Sequence, residues 1–144
     1  MTPTLGGRIQ TRILLMLLIG LPIGLCFGLM MGNVLKALVW LGLALALGLL
    51  LDPLYHHAQH RRWDRDWPTL FMVLAGCLEG GLLWLFLQIV TRWPVEALSP
   101  FFVITNTQFL RMYSTIWVAM LLANLGPLNI FFPYRRFKGG KFRD

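Results

Sequence analysis

Charge is the scarcest resource in this 144-residue chain: Asp, Glu, Lys and Arg together make up 13% of it, and acidic residues number 6. A water-soluble domain carries about 25% charged residues, so the composition excludes an ordinary soluble globule. Cysteine is almost absent. Cys26 and Cys77 both fall in apolar runs, which implies neither a disulfide framework nor a closed zinc site and leaves them as packing residues. There is no long polar segment, and therefore no room for an extramembrane catalytic domain or for a folded basic face with aromatic platforms of the kind that binds nucleic acid.

What is abundant is hydrocarbon. Hydrophobic residues make up 57% of the chain, with 14 Gly besides, and the formal net charge is +7. The expected fold is all-α, a polytopic integral membrane protein with four transmembrane helices. Residues 13–31 contain no charge and reach roughly 28 Å as a helix, enough to cross the hydrocarbon core. Arg8 and Arg12 precede this run as in a secretory signal, but about 19 apolar residues exceed the roughly 7–15 of a signal core, so retention as the first span is expected. Pro22 is expected to bend it. Gly32-Asn33 marks a turn, and residues 34–51 form the second span, with Lys36 snorkelling to the interface.

Asp52-Pro53 reads as an N-cap and first helical position, opening a short polar helix to about residue 66. The third span covers 69–90, flanked by Trp67 and Trp93 as interface anchors. The region 101–132 admits two readings. Either a helix over 101–125 carries Arg111 to mid-membrane, or 109–132 spans, Arg111 lies at an interface, and 97–108 is interfacial or re-entrant. Residues 1–132 thus form one helical membrane domain. Residues 133–144 form a basic cytoplasmic tail suited to anionic lipids, with Phe137 and Phe142 among its cations.

Four spans place both termini and the 52–68 connection on one side, together with Arg8, Arg12, Arg61, Arg62, Arg65, Arg135, Arg136, Lys138, Lys141 and Arg143. Lys36 and Arg92 face the other side. The positive-inside rule puts the basic side in the cytoplasm, and a bacterial cell inner membrane is the expected location.

Several groups stand out chemically. Gly20, Gly24, Gly28 and Gly32 recur every four residues and form a side-chain-free stripe for helix packing, within the chain or against another subunit. Glu79 lies ten residues into the third span, too deep to face lipid cheaply. It is expected to pair with Arg111, to meet another subunit, or to handle protons or ions. His56, His57 and His60 are weak metal candidates on a juxtamembrane helix. A solvated helix or a pH sensor explains them as well, and a straight helix cannot wrap Asp52, His56, His60 and Asp64 around one ion. Arg61, Arg62, Trp63, Arg65 and Trp67 form an interfacial ledge able to anchor in lipid or dock a protein.

The functional expectation is a small structural or assembly subunit of a larger membrane complex, binding other integral-membrane subunits and anionic lipids, with no cofactor. A small oligomeric ion- or proton-coupled transporter using Glu79 and Arg111 is the alternative. A membrane enzyme lacks a convincing nucleophile.

Overall fold

The computed structural model describes residues 4–61, 63, 68–92 and 102–133. It is helical, with no strand among these residues. Four helices are long and apolar enough to cross a membrane: α1 (Leu5–Met30), α2 (Val34–His60), α3 (Thr69–Arg92), and α4 (Asn106–Leu125), which is continued by the short α5 (Pro127–Phe131). The chain is therefore an all-α integral membrane protein.

In hydrocarbon every backbone group must find its partner within the protein, and the helix ends show how this sequence arranges it. Thr4 starts α1 by accepting from the Gly7 amide at 3.2 Å. At Pro22, which has no N–H to donate, α1 widens into a π-helical turn over Met16–Gly20, where the Leu21 amide reaches back to the Met16 carbonyl. The α1–α2 turn closes on Gly32, whose φ of 69° suits a residue without Cβ, and the Asn33 amide returns to the Gly28 carbonyl at 2.9 Å. Asn33 then caps α2 by accepting from the Lys36 amide at 2.9 Å.

Two expectations about helix ends are corrected. Asp52 does not cap a new helix, because α2 runs unbroken through Pro53 to His60. Its carboxylate is turned into the bundle, where a guanidinium binds it more strongly than backbone amides would. The last span starts at Asn106, five residues later than the first of the two readings requires. Thr105 and Gln108 form a reciprocal capping box there, the Thr105 hydroxyl accepting from the Gln108 amide and the Gln108 side chain accepting from the Thr105 amide. At its other end, Gly126-Pro127 breaks α4 from α5, and the Asn129 side-chain amide donates to the Asn124 and Leu125 carbonyls at 3.2 and 3.0 Å. That repairs the last turn.

The packing order follows from the contacts. α1 packs on α2 and α4, and α3 packs on the same two helices, so α1 and α3 occupy opposite corners of a four-helix ring. Towards the α1–α2 turn the centre is apolar: Trp40, Leu83, Leu87, Ile104, Phe109 and Met112 are buried there, with the Trp40 and Phe109 rings edge to face at 5.4 Å. The outside is apolar as well, with Leu17, Leu18, Leu29, Leu50, Leu110 and Leu122 all exposed. Polar groups inside and leucines outside is the arrangement hydrocarbon solvent selects.

The glycine stripe splits by function. Gly24 faces the Leu41 side chain, and a Cβ on Gly28 would lie 2.8 Å from the Val34 Cα, so both sit at the α1–α2 contact. Gly20 lies against its own Met16, with Ile116 of α4 beyond, and Gly32 is the turn. Because the neighbour of Gly28 is backbone, which cannot swing aside, Gly28→Ala should cost about 1–3 kcal/mol of bundle stability. Gly42 has no atom within 4 Å of its Cβ position, and Gly42→Ala should be neutral or slightly stabilising. Unfolding midpoints in detergent would measure both, and equal effects would refute the assigned close approach.

Candidate functional site

The polar centre of the bundle is built around one side chain, Arg12. It leaves α1 two turns into the helix and reaches Asp52 on the neighbouring α2 and Glu79 on the diagonally opposite α3. Its Nε donates to Asp52 Oδ2 and its Nη2 to Asp52 Oδ1, both at 3.0 Å. Nη1 and Nη2 donate to Glu79 Oε2 and Oε1, both at 2.9 Å. A planar guanidinium thus presents two edges to two carboxylates at once, a geometry lysine cannot supply. Asp52 is 2% exposed and Glu79 is 8% exposed. Salt bridges inside low-dielectric surroundings hold only when each ion is also hydrogen-bonded, and here both carboxylates are.

The three residues meet because their depths match. Arg12 lies about 10 Å from the start of α1, Asp52 about 12 Å from the end of α2, and Glu79 about 15 Å from the start of α3, and these three helix ends share one side. Arg8 sits one turn before Arg12, where its Nη2 donates to Gln59 Oε1 at 2.7 Å, and it lines the same space. Two arginines therefore balance two carboxylates. Tyr55 donates to the Ala75 carbonyl at 3.4 Å and Tyr113 to the Gly76 carbonyl at 2.7 Å, tying α2 and α4 to α3. Gly76 is required beside them, since a Cβ there would run into the Trp117 indole.

A cavity of about 220 Å³, reached by side chains from all four spanning helices, runs alongside this cluster, from Trp40 and Phe109 at one end to Arg8, Met72 and Asn124 at the other. Arg8, Thr11, Arg12, Asp52, Tyr55, Glu79, Tyr113 and Asn124 supply its polar lining. Leu15, Leu41, Leu83, Met112 and Ile116 are among the apolar residues along it, and Trp40 lines it as well.

The pairing of Glu79 with Arg111 is corrected: Glu79 is engaged by Arg12, and Arg111 is exposed on the outside of α4. The reason is the late start of α4. Arg111 lies about 7.5 Å from that helix end, whereas Glu79 lies about 20 Å from the Arg92 end of α3, so the two sit at different depths. Glu79 and Arg111 therefore do not meet within this bundle. Arg12, expected only as a flanking orientation charge, is the residue that sequence reasoning missed.

His56 and His60 share a hydrogen bond between their Nε2 atoms at 3.0 Å, and His57 is exposed. Among the described residues, no group of three or more His, Cys, Asp or Glu is arranged to hold a metal ion. Trp63 is 96% exposed and Arg61 is exposed beside it. Arg62, Arg65, Trp67 and most of the basic tail, residues 134–144, lie outside the described residues. No protein-family model, curated protein or solved structure matches the chain.

Removing the guanidinium would leave two carboxylates facing each other in the bundle. Arg12→Leu should destabilise the protein by about 3–5 kcal/mol. Neutralising the acids in the same chain, as Arg12→Leu/Asp52→Asn/Glu79→Gln, should restore most of that loss, because no unpaired charge remains. Denaturant titration in micelles reads both. A triple variant as unstable as the single one would show that the carboxylates are not the partners that matter.

Proposed function

We propose that this protein is a small structural or assembly subunit of a larger membrane complex, held rigid by its internal charges and joined to a partner subunit through the outer face of α4. The observation that carries this reading is the placement of Arg111. It lies on the exposed side of α4, in register with Thr107 and Thr115, and Ser114 is half-buried beside it with its hydroxyl donating to the Arg111 carbonyl at 3.3 Å. An arginine this near a helix end can snorkel to the interface, and with the hydroxyls of Thr107 and Thr115 in the same outward row it also matches a polar or acidic partner helix.

The internal charges support the same division of labour. Arg12, Asp52 and Glu79 are spent on one another and brace three helices, which suits a scaffold better than a carrier whose charges must change partners. The outer-facing partner is an integral-membrane subunit that offers a carboxylate or other acceptor to Arg111. The excess of Lys and Arg on the side of the termini and of the α2–α3 connection supports a cytoplasmic location for both, in a bacterial inner membrane, with anionic lipids against the basic ledge and tail.

Mild-detergent purification of the tagged full chain from native membranes tests this directly. Stable co-purifying membrane subunits are expected with the wild type and reduced recovery with Arg111→Leu, while the melting temperature of the isolated protein changes little because Arg111 is on the surface. Recovery of the chain alone, or unchanged partners with Arg111→Leu, would count against the reading.

A further inference from the structure

The last turns of α2 carry two histidines whose rings converge. His56 and His60 are one helical turn apart, with their Nε2 atoms 3.0 Å from each other, their ring planes at 90° and their centroids 4.4 Å apart. The contact lies at the exposed surface, and His60 itself is exposed. A neutral imidazole carries a proton on only one of its two nitrogens, and the other nitrogen presents a lone pair. Two Nε2 atoms this close therefore need something positive between them: a proton that one ring donates to the other, or a cation that takes both lone pairs.

We infer that this pair is a surface chelate for a divalent transition-metal ion of the copper, nickel and zinc group, bound by His56 Nε2 and His60 Nε2 with water in the remaining positions. Bonds of about 2.0–2.1 Å to nitrogens 3.0 Å apart meet at the metal at about 91–97°. That is the angle between neighbouring ligands in the tetragonal shells of copper(II) and nickel(II). Tetrahedral zinc needs the nitrogens about 0.3 Å further apart, a small adjustment for side chains at the surface. Magnesium and calcium are excluded by donor type, since both take oxygen ligands.

The surroundings define what kind of site this is. Asp52, one turn before His56, is turned inward and bound to Arg12, so it does not join the pair. Among the described residues no third His, Cys, Asp or Glu completes a set, which makes this an open site with solvent positions rather than a closed structural one. α2 ends at His60, and the negative end of its dipole, with carbonyls that lack intrahelical donors, favours a cation there. Arg8 on α1 works against a cation at His56, and its guanidinium is turned to Gln59 Oε1 at 2.7 Å. An ion held across one turn also pins the end of α2 against fraying.

The test uses the full chain purified on a histidine-free tag, so that its own 3 His are the only ones present. Nickel chloride and zinc chloride are each titrated into it in micelles by calorimetry, with magnesium chloride as the oxygen-seeking control. Saturable binding of one ion per chain is expected with nickel and zinc and none with magnesium. Affinity should fall about a hundredfold in His56→Ala and in His60→Ala, the gain that a second linked ligand brings, and stay unchanged in His57→Ala. Electron paramagnetic resonance of the copper(II) form should show coupling to two imidazole nitrogens in the wild type and to one in His60→Ala. Circular dichroism checks that the variants keep their helix content. The inference is overturned if neither nickel nor zinc binds saturably, or if His57→Ala costs as much affinity as His56→Ala. Binding of half an ion per chain would also overturn it, because the metal would then lie between two copies.

Discussion

A guanidinium surrounded by helices in hydrocarbon must keep its donors occupied, and Arg12 does so with four hydrogen bonds to two carboxylates on two other helices. Asp52 and Glu79 are in turn buried only because Arg12 is there. Each of the three groups would be costly alone, and together they become the reason that α1, α2 and α3 adopt one mutual arrangement. In a membrane the hydrophobic effect adds nothing to helix association, so close packing and polar contacts such as these carry it. The contact between α1 and α3 illustrates the point. They stand at opposite corners of the ring, and the ion pair between Arg12 and Glu79 crosses the centre to join them.

The same solvent explains the helix ends. Where Pro22 and Pro127 remove amide donors, the chain responds with a π-helical turn in one place and with the Asn129 side chain in the other. Pro53 removes one more donor within α2, and the helix passes through it because abandoning helix there would expose a whole turn of backbone. The Thr105 and Gln108 capping box sets where α4 begins, and through that start it sets the depth and direction of Arg111. A local backbone device thus decides which charge lies inside the bundle and which faces out.

Much of this was legible in the residues. The four apolar runs and the Gly32-Asn33 turn define the spans, and the turn also fixes the register of α1 on α2: Arg12 and Asp52 each lie twenty residues from Gly32, so an antiparallel hairpin places them side by side. That signal was available and was hidden by reading Arg12 as a flanking orientation charge and Asp52 as a cap. Both readings rest on where hydropathy falls off, and hydropathy falls off wherever a charge occurs, whether it marks the end of the helix or a partner within it. Glu79 was identifiable as a group in need of a partner, but the choice between Arg12 and Arg111 depended on the start of α4. Thr105-x-x-Gln108 was the sequence signal for that start, and the apolar residues ahead of it obscured the boundary. The cavity had no signature at all, because the space left between four helices depends on rotamers and helix separation rather than on any one residue type.

The bundle core is graded along its length. At one end Arg12 and Glu79 close the α1–α3 diagonal with charge, and at the other Trp40 and Phe109 close the α2–α4 diagonal with aromatic rings. Neither closure can slide along the bundle to relieve the other: the salt bridges require their carboxylates, and the rings are wedged among Leu87, Ile104 and Met112. Helices held at two depths keep their spacing along the bundle, and a cavity of about 220 Å³ runs beside the braces. Both braces contribute to its walls, Arg12, Asp52 and Glu79 from the ionic one and Trp40 and Phe109 from the aromatic one, so the space and the contacts that fix the helices are built from the same side chains.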